Sequence, residues 1–349
     1  MTKTNTGNFF EDFRIGQELV HATPRTVTAG DVALYTALYG TRFALQSSDA
    51  FAQSLGLPRA PVDDLLVFHV VFGKTVPDIS LNAIANLGYA ECRFGAPVYP
   101  GDTLSAKSVV IGLRENSNRE SGVVHVRSTG RNQHGEIVLD YVRWVMVRKR
   151  DPKAELPVAV TPKLAPAVAA ADLMVPAGLS LASYDAQLAG AMHRWGDYAI
   201  GERIDHVDGM TIEEAEHMIA TRLYQNTAKV HFDQRLAASS RFGRRLIYGG
   251  HIISLARALS FNGLANAFRV AAINAGSHTN PTLAGDTIYA WSHVTDKAEL
   301  AHRNDVGALR LRTVAVKNAP SAVFPDKTAD GRTDPSVVLD LDYWVLMPR

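Results

Sequence analysis

Residues 63–74 read DDLLVFHVVFGK, a stretch that is almost wholly apolar around the circumference of a helix. Residues 250–263, GHIISLARALSFNG, have the same character. A helix that is apolar on all sides is a buried one, so both stretches predict helices enclosed by other structure. The segments after 63–74 alternate between apolar and polar residues, as β-strands do. They are NLGYAECRF (86–94), DTLSAKSVVIGLRE (102–115), GVVHVRSTGRNQ (122–133) and EIVLDYVRWVMVRK (136–149). This order predicts a long antiparallel sheet wrapped around a central helix.

Three segments of the first half return in the same order in the second half. They are FEDFRIGQEL (10–19) with WGDYAIGERI (195–204), YPGDTLSA (99–106) with LAGDTIYA (283–290), and LDYVRWVMVRKR (139–150) with LDYWVLMPR (341–349). The first two pairs are offset by 185 and 184 positions, and a nearly constant offset indicates a duplicated module. We therefore predict an α+β fold, a double hot-dog with modules at 1–150 and 191–349. A crossover linker at 151–190 joins them.

The linker is rich in alanine and proline and contains the run VTPKLAPAVAAADLMVPAG (160–178). A segment of this composition is either extended and semi-rigid or disordered. The extended form would be long enough to cross from one module to the other. The sequence leaves both interpretations open.

The composition excludes several classes of protein. The chain has 349 residues, 46% of them hydrophobic, and its formal net charge is +1, so nothing favours nucleic acid or an anionic membrane as a partner. The one cysteine, Cys92, excludes an internal disulfide or a multi-cysteine zinc site, and it alternates like a structural strand residue. The first residues lack the apolar segment of a signal peptide, and no run reads as a membrane span. We therefore expect a cytoplasmic protein. The sequence also has no metal-binding or nucleotide-binding motif, so we expect no metal and no cofactor.

The second half carries YQNTAKVHFDQRLA (224–237) followed by IYGGHIISL (247–255), and residues 97–104 read PVYPGDTL. These motifs resemble those of the MaoC-like family of (R)-specific enoyl-CoA hydratases, and the resemblance covers the whole chain. Residues 22–40, 57–91 and 112–119 are similar to the mesaconyl-CoA hydratases of that family. The resemblance implies reversible dehydration of β-methylmalyl-CoA to mesaconyl-CoA in bacterial acetyl-CoA and glyoxylate assimilation. It also implies a small-molecule acyl-CoA substrate, no separate cofactor and a homodimer.

The family motif, carried over residue by residue, separates the two copies. Its catalytic histidine falls on His231 in the second copy and on Gln46 in the first, and its catalytic aspartate falls on Asn226 and Thr41. Its backbone-donor glycine falls on Gly250, where a helix start would hold a thioester oxygen. We assign His231 as the general acid/base and Asn226 as the group that positions the water or hydroxyl, because an amide cannot accept a proton near neutral pH. The second copy is then the catalytic one, and the first supplies pocket wall.

The remaining candidates are substrate-binding residues. Fold analogy places Gly249 beside the backbone donor. It places the others along the tunnel between helix and sheet: Val62, Asp63, Asn86, Tyr89 and Val98. The acyl group of the implied substrate also has a free carboxylate, and burying it without a cation would cost several kcal/mol. The cations near the motif are Arg222, Lys229, Arg42 and Arg257. Lys229 is favoured because it stands where the family usually has proline.

Three other functions stay open. The alternatives are a hydratase of linear 2-enoyl-CoA, a hot-dog thioesterase, and an acyl-CoA-binding protein without activity. The thioesterase is the weakest of these, because that chemistry usually needs a carboxylate to activate water and Asn226 stands at the aspartate position of the second-copy motif. Asn226 also has a plain interpretation as a helix cap. The histidines of the apolar segments are expected to be core or wall residues: His69, His125 and His251.

Overall fold

The computed structural model describes residues 3–154, 158–301 and 303–349. The strands are β1 (Glu18–Thr26), β2 (Ala83–Phe94), β3 (Thr103–Glu115), β4 (Ser121–Arg131), β5 (Ile137–Arg148), β6 (Arg203–Thr211), β7 (Arg269–Ser277), β8 (Thr287–Leu300), β9 (Arg303–Lys317) and β10 (Val337–Pro348). The helices are α1 (Ala29–Tyr39), α2 (Ala44–Ser47), α3 (Asp49–Ser54), α4 (Asp64–Thr75), α5 (Glu214–Leu223), α6 (Gln234–Ala238), α7 (Gly249–Leu259) and α8 (Phe261–Leu264).

The described strands form one ten-stranded antiparallel sheet in the order β1-β3-β4-β5-β2-β7-β10-β9-β8-β6. The order of the second half repeats that of the first in reverse, so the sheet has an approximate two-fold axis between β2 and β7. Ala90 pairs with Ala275 on this axis. These two residues are separated by the same 185 positions as Tyr39 and Tyr224, whose hydroxyl oxygens are 2.6 Å apart. The repeat offset therefore corresponds to a physical symmetry.

The two apolar helices lie inside the fold, as their composition predicts. Every residue of α4 from Leu65 to Thr75 is buried, and so is every residue of α7 from Gly250 to Leu259. The helices meet on the two-fold axis, where His69 Nε2 lies 2.9 Å from Ser254 Oγ. One helix from each half thus fills the concave side of the shared sheet.

Helix α1 shows how local sequence sets element boundaries. Thr28 accepts a hydrogen bond from the Asp31 N–H, and Asp31 bonds back to the Thr28 N–H, which is a complete capping box. Gly40 ends the helix in the left-handed conformation at φ 62°, which glycine adopts without steric cost. These two residues bound the helix on both sides.

The linker is ordered over its described residues, 151–154 and 158–190. Val160 forms a bridge with Leu113 of β3. Farther along, the Val168 N–H donates to Asn274 Oδ1 at 2.8 Å, and the Trp344 indole donates to the Val168 carbonyl at 3.1 Å. Side chains of the linker join a second apolar cluster with α3, β7 and β10. These residues therefore form an extended crossover and not a disordered tether.

Gly73 lies at a close approach between the backbones of the two halves. A Cβ atom at this position of α4 would lie 1.9 Å from the Tyr224 carbonyl oxygen and 3.4 Å from the Asn226 nitrogen. Both contacts are with backbone, which cannot rotate away as a side chain can. Gly73 is therefore required by packing, although glycine costs about 1 kcal/mol relative to alanine inside a helix.

We expect Gly73→Ala to lower the free energy of unfolding by about 3 kcal/mol, because the overpacking cost exceeds the gain in helix propensity. Thermal and urea unfolding followed by circular dichroism would measure it. Gly196→Ala is the matched control, since a Cβ there meets no atom within 4 Å. Equal stability of the two variants would contradict the packing argument.

Candidate active site

His231 ends a short 3₁₀ turn, Lys229–His231, and its ring is fixed by the backbone. Its Nδ1 lies 2.9 Å from the Leu246 carbonyl oxygen. A carbonyl can only accept, so Nδ1 carries the proton and Nε2 has a free lone pair. Among the described residues Nε2 has no hydrogen-bond partner. The geometry leaves one imidazole nitrogen available to take up a proton.

The electrostatics of the site keep His231 neutral. Burial lowers its pKa to about 4, and the hydrogen bond to the Leu246 carbonyl opposes that shift only in part. At neutral pH the imidazole is therefore a base and not an imidazolium acid. This is the protonation state that a proton acceptor needs.

Asn226 lies in the turn between α5 and the His231 segment and is only 4% exposed. Its Oδ1 accepts a hydrogen bond from the Ala228 N–H at 2.9 Å, so the side chain closes an Asx turn. Its own N–H donates to the Thr221 carbonyl at 3.1 Å. The carbonyl oxygen of the amide is thus engaged locally, and the NH₂ group remains as a donor. The capping interpretation and a role in positioning an oxygen are both compatible with this geometry.

The start of α7 presents free backbone donors. The first N–H groups of a helix have no partner inside it, and Tyr248, which precedes α7, supplies no side-chain cap. The rings around this helix start are close to the backbone. A Cβ on Gly249 would lie 2.5 Å from the His278 ring, and one on Gly250 would lie 2.3 Å from Tyr248 and 2.5 Å from His69. The two glycines therefore allow aromatic rings to reach the positive end of the helix.

The corresponding start of α4 is already occupied by acidic groups. Asp63 precedes the helix and accepts a hydrogen bond from the Leu65 N–H at 2.9 Å. Asp64 follows it and lies 3.4 Å from Arg269 Nε. Burial raises the pKa of Asp64 to about 6, while the Arg269 charge opposes the shift. A thioester oxygen that gains negative charge would meet carboxylates here, whereas at α7 it would meet free N–H groups.

The two motif positions of the first copy are equally unsuited to proton transfer. Gln46 uses its amide nitrogen to donate to the Phe268 carbonyl at 2.8 Å. Thr41 is buried, and its hydroxyl has no partner among the described residues. Neither side chain accepts a proton near neutral pH. The asymmetry between the copies is thus present in the side chains and in the helix starts.

A polar network occupies the two-fold axis beside the site. The Tyr39 hydroxyl lies 2.6 Å from that of Tyr224 and 2.9 Å from His251 Nδ1. His69 contacts Ser254 as described above, and its ring centroid lies 4.5 Å from that of Tyr224. Burial lowers the pKa of His69 and of His251 to about 3, so both stay neutral. The prediction that these histidines are wall and core residues agrees with their burial and hydrogen bonds.

Comparison with known proteins decides the family. A family model described as mesaconyl-CoA hydratase matches residues 1–330. The chain belongs to this family. It is 67% identical over 347 residues to β-methylmalyl-CoA dehydratase of Chloroflexus aurantiacus, covering 99% of each chain. It is 65% identical to mesaconyl-CoA hydratase of Cereibacter sphaeroides, covering 99% of this chain and all of the relative.

Solved structures in the same comparison confirm the fold. A MaoC domain protein dehydratase from Chloroflexus aurantiacus superposes with a TM-score of 0.98 at 66% identity and covers 100% of this chain and 99% of its own. A Mycobacterium tuberculosis protein with a double hotdog fold gives 0.76 at 27% identity, covering 99% of each chain. The α+β double hot-dog that the repeat predicted is therefore correct.

The structure brings some of the sequence candidates together and separates others. Tyr89 faces the site, with its hydroxyl 3.4 Å from His278 Nε2, and Asn86 lies on the same strand. Lys229 is exposed on the turn that carries His231. The other three lie together at the opposite end of the helix pair, near the start of α4 and the Arg257 end of α7: Val62, Asp63 and Val98.

Two site residues escaped the sequence analysis. His278 follows β7 and packs on Gly249, and burial lowers its pKa to about 4. Tyr248 precedes the helix, and its ring centroid lies 5.6 Å from that of His231. Tyr248 stands directly before the two glycines of the IYGGH motif, and this position is a signal for it. No residue near His278 in the sequence marks His278 as a site residue. In the described parts of the chain no group of three His, Cys, Asp or Glu residues is placed to hold a metal, and no helix has both the length and the hydropathy needed to cross a membrane.

Cys92 and the predicted cations also have clear positions. The Cys92 thiol is fully buried, and burial raises its pKa, so it is an inert structural residue. Arg222 and Arg42 are exposed. Arg257 is buried, but it lies against the Phe43 ring and near the aspartates that begin α4.

We expect Gly250→Ala to lower kcat about 100-fold, because the added methyl group would collide with Tyr248 and His69 and displace the backbone donors. Steady-state kinetics with an enoyl-CoA substrate would measure it. Gly30→Ala is the matched control, since Gly30 is also the second residue of a helix and a Cβ there meets only Thr28 Oγ1 at 3.5 Å. Full activity of Gly250→Ala would exclude the helix start from the site.

Proposed function

We propose that this protein catalyses the reversible dehydration of β-methylmalyl-CoA to mesaconyl-CoA and water. The observation that carries the proposal is the free, neutral Nε2 of His231 in the half of the molecule whose helix start offers unoccupied N–H donors. The functions named for the relatives at 67% and 65% identity support the substrate. A hydro-lyase of this kind uses no group outside the polypeptide and the substrate, so we propose no cofactor.

The reaction needs an acceptor for the proton next to the thioester and donors for the thioester oxygen. In dehydration, the Gly250 N–H and its neighbour stabilise the enolate oxygen while His231 Nε2 takes the proton from the adjacent carbon. The departing hydroxyl then receives this proton from His231 and leaves as water, which returns the imidazole to its neutral form. The Asn226 NH₂ group donates to the hydroxyl oxygen and holds it in place. Hydration follows the same path in reverse.

The assembly and location of the protein belong to the same proposal. We expect a homodimer in the cytoplasm that binds the small-molecule acyl-CoA and neither nucleic acid nor membrane. The pairing that single hot-dog modules need is already made within this chain by β2 and β7. Dimerisation is therefore an addition to a complete fold, and sedimentation equilibrium of the full chain would measure it.

We expect His231→Ala to lower kcat for mesaconyl-CoA hydration by about 100- to 10,000-fold, the usual contribution of a general acid/base. Loss of the enoyl-thioester ultraviolet absorbance would follow the reaction, with crotonyl-CoA in parallel. His134→Ala is the matched control, because His134 is exposed on the β4–β5 turn. Faster turnover of crotonyl-CoA by the wild type would favour the linear-chain hydratase. No turnover of either substrate would favour an acyl-CoA-binding protein.

The pH profile gives an independent test of the base. Because His231 must be neutral to accept a proton and burial lowers its pKa to about 4, kcat/KM should fall as the pH decreases through about 4 and not near 6.5. Buried neutral histidines also make the fold less stable below pH 6.5, since the unfolded chain takes up protons there. Short assays, with recovery of activity at pH 7 as the control, separate the two effects. An acid limb near pH 6.5 with full recovery would contradict the assignment.

A further inference from the structure

Arg143 is a buried cation without a counter-charge. It lies on β5, its side chain is fully buried, and its guanidinium donates to Thr75 Oγ1 at 2.8 Å and to Ser80 Oγ at 3.3 Å. Its Nε has no hydrogen-bond partner among the described residues. No described carboxylate contributes to its electrostatic environment, in which the neighbouring groups are tyrosines. An unpaired buried charge is costly, so its presence calls for a partner that is not part of the chain.

The other two buried arginines have such partners. Arg269 faces Asp64 at 3.4 Å and donates to the Gly95 carbonyl at 2.6 Å. Arg257 lies in the field of Asp63 and Asp64, which raise its pKa against the effect of burial. Both belong to the end of the helix pair that lacks the catalytic histidine. Of the three buried arginines, Arg143 alone combines full burial with the absence of an acidic neighbour among the described residues.

The surroundings of Arg143 contain further unsatisfied polar atoms. Both polar atoms of the Asn86 amide and His278 Nδ1 are buried and without a partner among the described residues. In the β2–β5 ladder Tyr89 is directly opposite Arg143, and Asn86 is opposite the residue two positions farther on, Val145. Buried polar groups are normally satisfied, so unpaired polar atoms on β2, the strand beside Arg143, and just after β7 indicate a polar ligand.

This region adjoins the catalytic histidine. The Arg143 guanidinium lies 4.2 Å from the centroid of the Phe72 ring, and that ring lies 5.8 Å from the Tyr248 ring. Tyr248 in turn is the ring that packs against His231. The hydroxyl groups of Tyr248 and Tyr89 also interact electrostatically with the Arg143 guanidinium. An aromatic wall therefore runs from the base to the guanidinium.

The duplicated half lacks this cation. Arg143 is paired with Val126 of β4, and Leu311, 185 positions after Val126, is paired with Tyr343 of β10, so Tyr343 stands at the position that corresponds to Arg143. Both are buried. The arginine thus accompanies the site that retains a base, and the tyrosine accompanies the site that has lost it.

We propose that Arg143 binds the distal carboxylate of the acyl group and sets the preference for a dicarboxylic acyl-CoA, with Asn86 as a second donor. The proposal rests on the function proposed above and names the residue that selects its substrate. The guanidinium fork and the amide supply directed donors for a carboxylate. A charge-assisted bond to a carboxylate also satisfies the buried guanidinium better than contact with neutral tyrosine side chains does. The exposed cations of the motif helices then have no part in this recognition.

The test compares acyl groups with and without the second carboxylate in Arg143→Gln. We expect kcat/KM for mesaconyl-CoA to fall about 100-fold or more, while that for crotonyl-CoA stays within about threefold of the wild type. Arg143→Lys should recover part of the loss, since it restores the charge without the fork. The ratio of the two substrates within one variant is independent of the fraction of folded protein. Equal losses for both substrates would overturn the proposal and assign Arg143 a structural role.

Binding of saturated analogues separates this proposal from the function on which it rests. Calorimetric titration should show that Arg143→Gln weakens succinyl-CoA about 100-fold and leaves butyryl-CoA unchanged. Wild-type protein that binds succinyl-CoA in this Arg143-dependent way but does not hydrate mesaconyl-CoA would refute the function and keep the carboxylate site. Hydration of mesaconyl-CoA with no effect of Arg143→Gln on succinyl-CoA would do the reverse. Arg127→Gln, on the partly exposed face of β4, is the matched control for loss of an arginine.

Discussion

Two helices that are apolar on every side must be enclosed, and most of the architecture follows from this constraint. A single sheet cannot cover a helix with five strands unless the neighbouring helix closes the open side. The two halves therefore share one sheet through β2 and β7 and place α4 against α7. The contact of His69 with Ser254 satisfies polar groups where the helices cross. Gly73 permits the close approach that this arrangement requires.

The same symmetry creates two equivalent helix starts, and the sequence has used them differently. At α4 the carboxylates of Asp63 and Asp64 fill the positive end of the helix and pair with buried arginines. At α7 no side chain caps the first N–H groups. One copy thus gains stability from its own side chains, and the other leaves its helix start uncapped. Duplication supplies the fold twice, and the two helix starts of the described structure differ in their chemistry.

Much of this could be predicted from the sequence, because it is encoded in local patterns. Periodicity and the 185-residue repeat predicted the buried helices and the strands that follow each of them. The motif selected His231 and Asn226 together with Gly250. The substrate-binding residues chosen by analogy were less well placed, since Val62, Asp63 and Val98 lie at the opposite end of the helix pair. The analogy named residues on elements along the helix pair, but it could not say which end of α4 lies near His231.

The sequence by itself determined the fold class and the duplication and predicted the role of His231, because each depends on neighbouring residues or on a repeated motif. Only the tertiary structure decided the tautomer of His231, which depends on the Leu246 carbonyl, and the approach of His278 to Gly249. It alone showed that Arg143 is buried with no carboxylate beside it in the described parts of the chain. These features arise where strands and helices distant in the chain meet. The register that brings them together is set by the packing of the whole sheet, and no local pattern records it.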